Sequence, residues 1–248
     1  MKKERIDNMG FGDLRLIQRP EDFCYGIDAV ILADFACRDG DKSGAEEGIV
    51  HVADLGAGNG AVSLILTHKL PQAKLLAVEV QGDAAGLAER NVKLNGLSER
   101  IEVFHGDILD LPQEMRGSMD MVVANPPYVR QGGGIINKHS SKAIARLEST
   151  AGLSDFLRVA KDILRDKGDF YMVHRPSRLV DILAEGRSMG MEAKTLLPVA
   201  PGPKKAANLI LVHFVKNGGQ QLTYLPELRV YGEDGGYTKE IEKIYERI

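Results

Sequence analysis

The chain has 248 residues, of which 44% are hydrophobic and 27% are charged, and its formal net charge is −3. This balance is typical of a globular domain that needs no metals or disulfides to build its core, and it gives no overall signal for nucleic acid. No stretch reaches the roughly 18 apolar residues of a membrane-spanning helix, the N-terminus lacks the apolar region of a signal peptide, and Cys24 and Cys37 are too few for a zinc site. We therefore expect a cytoplasmic monomer without a metal ion.

The first predicted element is an apolar helix over residues 26–37, followed by a polar linker over residues 38–48. From residue 49 onward, strand-like apolar runs alternate with helical patterns. The predicted strands cover residues 49–54, 74–79, 101–104, 119–124 and 169–174, and the predicted helices cover residues 61–70, 83–95 and 153–166. Strands joined by crossover helices form a parallel sheet, so the pattern predicts a doubly wound, Rossmann-like α/β fold with helices on both faces.

The last third of the sequence changes character. Strands are predicted at residues 193–197 and 209–215, joined by a proline-rich loop over residues 198–205. Because this connection is short, it favours an antiparallel pair at the edge of the sheet. A further strand is predicted within residues 222–230, and a final helix begins near Thr238, with Ile241, Ile244, Tyr245 and Ile248 on one stripe. We divide the chain into a cap (residues 1–45), a core domain (residues 46–217) and a C-terminal strand and helix (residues 218–248).

A glycine-rich turn, Asp54-Leu55-Gly56-Ala57-Gly58-Asn59-Gly60, follows the first core strand. Glycines allow the backbone to turn sharply and to approach a ligand closely, and the helix that follows offers free N–H groups. This edge of the sheet is where open α/β folds bind ligands. The predicted cofactor-binding residues of this turn are Asp54, Gly56, Gly58, Asn59 and Gly60.

Acidic residues at the ends of the next two strands extend the predicted pocket. Glu79, which stands 19 residues after Gly60 and precedes Val80, can accept hydrogen bonds from both hydroxyls of a ribose. Asp107, which precedes Ile108, can accept from the amine of an adenine, although in isolation it would be interpreted as a helix N-cap. We include all four residues in the cofactor site.

The glycine turn does not by itself distinguish between two cofactors. Gly56, Gly58 and Ala61 also fit the dinucleotide-binding pattern, with an acid about 20 residues further on. Asp54 favours S-adenosylmethionine, because an acid before the first glycine suits a cationic methionine amino group and is unfavourable beside a pyrophosphate. A tight turn without a ligand is the structural alternative.

The segment Asn125-Pro126-Pro127-Tyr128 directly follows the fourth core strand, and we predict that all four residues are catalytic, with Asn125 also close to the cofactor. An amine attached to a purine or to a carbonyl is a poor nucleophile because its lone pair is delocalised. The Asn125 side-chain oxygen and the Pro126 carbonyl can hold both N–H groups, orient the nitrogen and stabilise its developing positive charge. Tyr128 can stack on a flat target. A turn with an exposed tyrosine is the alternative.

These motifs resemble those of the class I amino-methyltransferases, with the resemblance covering about residues 49–215. It implies S-adenosylmethionine as cofactor and a seven-stranded sheet with one antiparallel strand near the edge. Residues 23–35, 145–148, 231–232 and 236–238 are similar to segments of the bacterial tRNA1(Val) adenine-N6 methyltransferases. That narrower resemblance implies a tRNA substrate, methylated at the adenine of position 37 of a valine tRNA. Bases of an anticodon loop are unpaired, so extruding one costs little.

Basic residues outside the motifs indicate where such a substrate would bind. Arg130 is one of four basic residues in an acid-free stretch over residues 129–147, together with Lys138, Lys142 and Arg146. Lys204 and Lys205 lie in the predicted proline-rich loop, where we expect phosphate contacts. His174 and Arg175 end a strand at the same edge, and packing is the preferred interpretation for both.

Four other functions compete with tRNA methylation. A protein glutamine methyltransferase of the release-factor type uses the same four-residue motif, but it resembles this chain less because an N-terminal bundle of about 70 residues precedes its core. A DNA adenine methyltransferase would require a separate recognition domain. A non-enzymatic RNA-binding module has no need of the Asn125 motif, and an NAD oxidoreductase leaves it unexplained.

Overall fold

A computed structural model describes residues 3–21, 25–38, 50–127 and 151–247. The predicted linker after Arg38 and the predictions for Cys24, Tyr128 and Arg130 fall outside these residues, as do Lys138, Lys142, Arg146 and Ile248. Among the described helices, none combines the length and apolarity needed to cross a bilayer.

The described elements follow one another in an order that is largely the predicted one. They are β1 (Arg5–Asn8), β2 (Arg15–Gln18), α1 (Ile27–Arg38), β3 (Val50–Leu55), α2 (Ala61–Lys69), β4 (Ala73–Glu79), α3 (Gly82–Leu94), β5 (Ile101–His105), β6 (Met119–Ala124), α4 (Leu153–Ile163), β7 (Leu164–His174), α5 (Leu179–Ser188), β8 (Met191–Ala200), β9 (Leu209–Lys216), β10 (Thr223–Tyr224), β11 (Leu228–Arg229) and α6 (Lys239–Ile244). Short 3₁₀ turns lie between β5 and β6 and before α5.

The main sheet has the strand order β5-β4-β3-β6-β7-β9-β8, with β3 hydrogen-bonded between β4 and β6. The pairs from β5 to β7 are parallel, whereas β9 runs antiparallel to both β7 and β8. The prediction of a mostly parallel α/β fold with an antiparallel strand near the edge is therefore confirmed. Within the described residues the sheet has nine strands and not the expected seven, because β10 and β11 each pair in parallel with β8.

Two apolar layers cover the two faces of this sheet. Buried side chains of α1, α2 and α6 pack on one face, together with Phe11 and Leu16 from the N-terminal segment. On the other face, α4 and α5 contribute Phe156, Leu157 and Ile182. Nearly all of β6 is buried, as expected for a central parallel strand covered by helices on both sides.

Three predicted boundaries were wrong. The helix predicted over residues 153–166 ends at Ile163, because Leu164 adopts an extended conformation and its backbone pairs with Met119 of β6. Residues 198–200, predicted as loop, continue β8, since Pro198 and Val199 lie opposite Ile210 and Leu209. The strand predicted over residues 222–230 is two strands of two residues each.

The predicted cap contains a β-hairpin as well as a helix. Strands β1 and β2 pair antiparallel, and β2 packs on α3. Two asparagines of α3, one helical turn apart, hydrogen-bond through their side-chain amides to the backbone of β2, as a neighbouring strand would do through its own backbone. Asn91 accepts from the Ile17 N–H at 2.7 Å and donates to the Ile17 carbonyl at 3.2 Å, and Asn95 makes the same pair of bonds to Arg15 at 2.9 and 2.7 Å. Asn91 also donates to the Asn59 carbonyl at 3.0 Å, which joins the hairpin to the glycine turn.

Replacing Asn91 with alanine should lower the free energy of unfolding by about 2–3 kcal/mol, because it leaves buried backbone groups of Ile17 and Asn59 without partners. Asn95→Ala is the matched control. Its bonds lie at an exposed position, where water can replace them, so the expected loss is about 1 kcal/mol or less. Urea unfolding measures both values, and equal losses for the two variants would contradict the proposed role of burial.

Candidate cofactor and catalytic site

The predicted site residues lie at one edge of the sheet, where β3, β4, β5 and β6 end. Leu55 of β3 is in register with Val78 of β4 on one side and with Ala124 of β6 on the other. Gly56, Glu79 and Asn125 each directly follow one of these three residues in the sequence. Parallel pairing thus brings together three motifs that are far apart in the sequence.

The glycine-rich turn has backbone conformations that favour glycine. Gly56, Gly58 and Gly60 have φ values of +75°, +57° and +83°, and a side chain at any of them would be strained. The N–H groups of Gly56 and Ala57 both donate to the Val78 carbonyl at 2.9 Å, which fixes the turn against β4. A Cβ atom at Gly58 would meet no described atom within 4 Å, so the turn faces open space at this position.

Glu79 organises the turn from the neighbouring strand. Its carboxylate accepts from the Gly58 N–H and from the Gln81 N–H, both at 2.8 Å, while the side chain is almost completely buried. Burial raises the pKa of Glu79, and these hydrogen bonds to backbone N–H groups oppose the rise. Val80, which stands between Glu79 and Gln81 in the sequence, is half-buried. The carboxylate is therefore held in place before any ligand arrives.

Asp54 is the most deeply buried acid of the site, with 1% of its surface exposed. It accepts a hydrogen bond of 2.7 Å from the Ser63 hydroxyl in the first turn of α2. Burial raises the pKa of Asp54 to about 7, and the Ser63 bond partly counteracts this effect. Sequence reasoning missed Ser63, although a serine just inside the helix after a strand-end acid is a signal for such a bond.

At the end of β5, Asp107 caps the short turn Ile108–Asp110 by accepting from the Leu109 N–H at 3.0 Å. Ile108 is buried in the apolar layer under α4. The structure thus contains the N-cap geometry that was the alternative interpretation of Asp107. The contact of the Asp107 carboxylate with an adenine amine remains a prediction.

Asn125 and Pro126 follow β6 directly. Asn125 is half-buried, Pro126 is buried and Pro127 is exposed, while Tyr128 lies outside the described residues. His174 ends the neighbouring strand β7, where its Nδ1 atom accepts from the Arg175 N–H at 2.8 Å. Burial, together with the charges of Arg178 and Arg175, lowers the pKa of His174 to about 4, so this histidine is neutral at physiological pH.

Lys204 and Lys205 lie further along the same edge, in the loop over residues 201–208 between β8 and β9. Both side chains are exposed, and neither has a hydrogen bond or ion pair within the described part of the chain. Arg175, at the end of β7, donates to the Asn208 carbonyl of this loop at 3.1 Å. The loop is therefore connected to the strand that borders β6.

Two open cavities lie away from these residues. One, of about 530 Å³, is at the opposite edge of the sheet, between the tip of the hairpin and the ends of α2 and α3. Arg100 lines it but is already committed to the carbonyls of Thr67, Leu70 and Ala73. The other, of about 610 Å³, lies between the hairpin, the start of α1 and the C-terminal tyrosines. Within the described residues, no cluster of side chains could hold a metal ion.

The strand order and the motifs at the strand ends define a class I methyltransferase fold. The chain belongs to the methyltransferase small domain family, whose pattern matches residues 45–184, and it is a methyltransferase. The expected resemblance to this class of enzymes is thereby confirmed.

Several relatives carry the name tRNA1(Val) (adenine(37)-N6)-methyltransferase. The chain is 28% identical to the one from Shewanella frigidimarina over 163 residues, covering 64% of each protein. It is 28% identical to the one from Porphyromonas gingivalis over 189 residues (75% of this chain and 72% of the relative), and 26% identical to the one from Escherichia coli O1:K1 over 216 residues (86% and 83%). The chain thus spans slightly less than two thirds of the first relative and more of the other two.

Solved structures share the fold at lower sequence identity. A protein from Agrobacterium tumefaciens described as a predicted O-methyltransferase superposes with a TM-score of 0.67 at 22% identity, covering 89% of this chain and 96% of that one. The Pyrococcus horikoshii protein TYW2, solved in complex with MeSAdo, has a TM-score of 0.60 at 13% identity, covering 88% and 73%. At these identities the similarity establishes the fold alone.

The raised pKa of Asp54 should make folding stability depend on pH. Folded Asp54 keeps its proton up to about pH 7, whereas the unfolded chain releases it near the ordinary value of 3.8. The folded state binds more protons between these values, so the free energy of unfolding falls as the pH rises through this window. Asp54→Asn should remove this dependence of the free energy of unfolding on pH, whose slope reaches about 1.4 kcal/mol per pH unit.

Urea unfolding of the wild type and of Asp54→Asn between these pH values measures the difference. Ser63→Ala serves as the comparison. Loss of the Ser63 hydrogen bond should raise the pKa of Asp54 further, so the free energy of unfolding should keep falling to higher pH than in the wild type. A difference between wild type and Asp54→Asn that does not vary with pH would show that Asp54 is ionised in the folded protein.

Proposed function

We propose that this methyltransferase transfers a methyl group from S-adenosylmethionine to the N6 amine of an adenine in tRNA, with position 37 of a valine tRNA as the expected target. The observation that carries the proposal is the position of Asn125 and Pro126, directly after β6, whose last residue Ala124 pairs with Leu55 just before the glycine turn. The names of the relatives support the choice of tRNA.

The residues at the edge of the sheet fit this cofactor. The side-chain nitrogen of Asn59 is buried without a hydrogen-bond partner among the described residues, and the space at Gly58 is open, so the turn offers both a donor and room. The Glu79 carboxylate accepts from the Gly58 N–H on one oxygen and from the Gln81 N–H on the other, and in this proposal it also accepts from the two ribose hydroxyls. In this proposal Asp54 faces the methionine amino group, and Asp107 faces the adenine together with Val80 and Ile108.

Methyl transfer then depends on orientation and on electrostatic stabilisation. When bound, S-adenosylmethionine supplies an activated methyl group on a sulfonium that leaves as a neutral thioether. The Asn125 side-chain oxygen and the Pro126 carbonyl accept the two N–H groups of the target amine, which directs the nitrogen lone pair and stabilises its growing positive charge. The fixed φ angles of Pro126 and Pro127 keep that carbonyl in position. Tyr128 stacks on the extracted base in this proposal.

For the tRNA backbone we propose contacts with Lys204, Lys205 and Arg130. The two lysines have no ion-pair partner among the described residues and lie at the same edge of the sheet as Asn125. Phosphate contacts of this kind position a substrate without selecting its sequence. The enzyme would act in the cytoplasm, as a monomer.

The deciding experiment supplies the purified protein with methyl-labelled S-adenosylmethionine and three substrates, namely total tRNA, a release factor and duplex DNA. Nuclease digestion and mass spectrometry of the labelled tRNA should reveal N6-methyladenosine, and sequencing of the labelled species should locate it in the anticodon loop. Label that appears only on a glutamine of the release factor would replace the proposal with its main competitor.

Asn125→Ala should reduce kcat by at least about 100-fold, because it removes an acceptor that acts on the nitrogen as charge develops. The Kd for S-adenosylmethionine, measured by calorimetry, should stay within about threefold, since most of the proposed cofactor contacts lie on β3, β4 and β5. Asn95→Ala, on the distant end of α3, should retain the wild-type kcat. Turnover by Asn125→Ala near the wild-type rate would remove Asn125 from the mechanism.

The double variant Lys204→Ala/Lys205→Ala should bind tRNA more weakly and should reduce the slope of log Kd against log salt concentration by up to about 1.5, the value expected for two phosphate contacts. A matched pair, Lys74→Ala/Lys93→Ala, removes exposed lysines at the opposite edge of the sheet and should leave the slope unchanged. Identical slopes for both double variants would exclude the 201–208 loop from the RNA interface.

A further inference from the structure

Four aromatic rings form a continuous stack between the hairpin and the C-terminal segment. The ring centroids of Tyr231 and Tyr237 are 5.3 Å apart, those of Tyr237 and Tyr245 are 5.7 Å apart, and those of Tyr245 and Phe11 are 5.5 Å apart. Neighbouring rings are nearly parallel, with interplanar angles of 21°, 17° and 21°. We call this set the aromatic stack.

One end of the aromatic stack is fixed in the core and the other reaches the surface. Phe11 is fully buried and Tyr245 is 7% exposed, whereas Tyr231 is 43% exposed. The Arg247 guanidinium lies over the Tyr245 ring, 4.5 Å from its centre. Tyr231 and Tyr237 face each other across an antiparallel backbone bridge, closed by a 2.8 Å bond from the Gly232 N–H to the Gly236 carbonyl. The exposed ring is therefore rigidly supported.

The exposed end lies beside the 201–208 loop, which carries Lys204 and Lys205. The Tyr231 N–H donates to the Pro201 carbonyl at 3.2 Å, and a Cβ atom built on Gly202 would be 3.8 Å from that of Tyr231. Lys204 and Lys205 follow within three residues of Gly202, in the loop that Arg175 joins to the end of β7. Two acids near the stack have partners, since Glu227 pairs with Arg229 and Asp234 accepts from the Gly236 N–H. A third, Glu233, lies two residues after Tyr231 and is exposed.

We propose that Tyr231 is a stacking platform for an unpaired nucleotide of the RNA substrate, in the same loop as the methylated base, while Lys204 and Lys205 hold the adjoining phosphates. Aromatic rings bind bases of any sequence by stacking, and a ring that is already ordered loses little entropy when a base packs on it. A bound base would extend the aromatic stack by a fifth ring. This inference rests on the proposed function, and it assigns Tyr231 a role separate from that of Tyr128.

The test uses an RNA oligonucleotide with the sequence of the anticodon stem and loop. Fluorescence anisotropy gives its Kd, and methyl transfer gives KM and kcat. Tyr231→Ala should raise both Kd and KM by roughly 5- to 100-fold, while kcat at saturation stays within about threefold. Tyr231→Phe keeps the ring and should behave like the wild type. Tyr224→Ala removes a more exposed tyrosine, on β10 and outside the stack, and should have no effect.

A second measurement separates stacking from a purely structural role. Oligonucleotides in which single loop positions lack a base are titrated against the wild type, Tyr231→Ala and Tyr231→Leu, the last of which keeps an apolar side chain in place. At the stacked position, loss of the base should weaken binding to the wild type and should cause no further loss in either variant. If removal of the base and removal of the Tyr231 ring weaken binding additively at every loop position, the inference is overturned.

The remaining outcomes are distinguishable. If the wild type methylates the oligonucleotide and Tyr231→Ala has the same Kd and KM, the inference is wrong and the proposed function stands. If the wild type neither binds nor methylates RNA but labels a protein glutamine, the proposed function fails and the inference fails with it. A fall in cofactor affinity that equals the fall in RNA affinity would assign Tyr231 to folding alone.

Discussion

The site depends on the hydrogen bonding of β3 between β4 and β6. This parallel pairing brings the strand ends that precede Gly56, Glu79 and Asn125 side by side, although these residues are separated by up to 69 residues of sequence. A shift of one residue in either register would turn the side chains of a whole strand to the opposite face of the sheet and would separate the acids from the turn. The bond from the Gly58 N–H to the Glu79 carboxylate then fixes the turn against β4. The chemistry proposed for Asn125 relies on this geometry, because orientation contributes to the rate only when the two partners are held in place.

Much of the fold could be predicted because it is encoded locally. Apolar runs, the glycines after β3 and the helical periodicity of α2 and α3 identify most of the sheet, and the short connection near residue 200 indicates the antiparallel pair. The errors fall where a long-range contact overrides a local preference. Leu164 continues an apolar helical pattern but pairs with Met119, and Pro198 suggests a loop but lies in β8 opposite Ile210. The hairpin β1–β2 has only eight residues in its two strands, and it depends on side chains of α3 that no local pattern reveals.

The same distinction applies to the candidate site. Residues with a motif around them, such as the glycine turn and Asn125, could be selected from the sequence, and their roles stay predictions. Ser63 and Asn91 belong to no such motif, because their importance comes from partners on other elements, although the position of Ser63 after a strand-end acid is a signal. Asn91 does carry a signal, since it is a polar residue on the otherwise apolar face of α3, and buried polar groups have partners. The aromatic stack combines Phe11 with tyrosines more than 200 residues away, so only the folded chain brings it together.

The two short strands that pair with β8 have a consequence for solubility. An outer strand of ten residues with unpaired N–H and C=O groups is a template on which a second molecule can add its own strand. Here β10 and β11 occupy two separate parts of that edge, and Pro226 interrupts the chain between them with a residue that cannot donate a hydrogen bond. Each short strand is itself too small to continue the sheet into a neighbouring copy. The C-terminal segment that carries Tyr231 towards the loop of Lys204 thus also protects the protein against edge-to-edge aggregation.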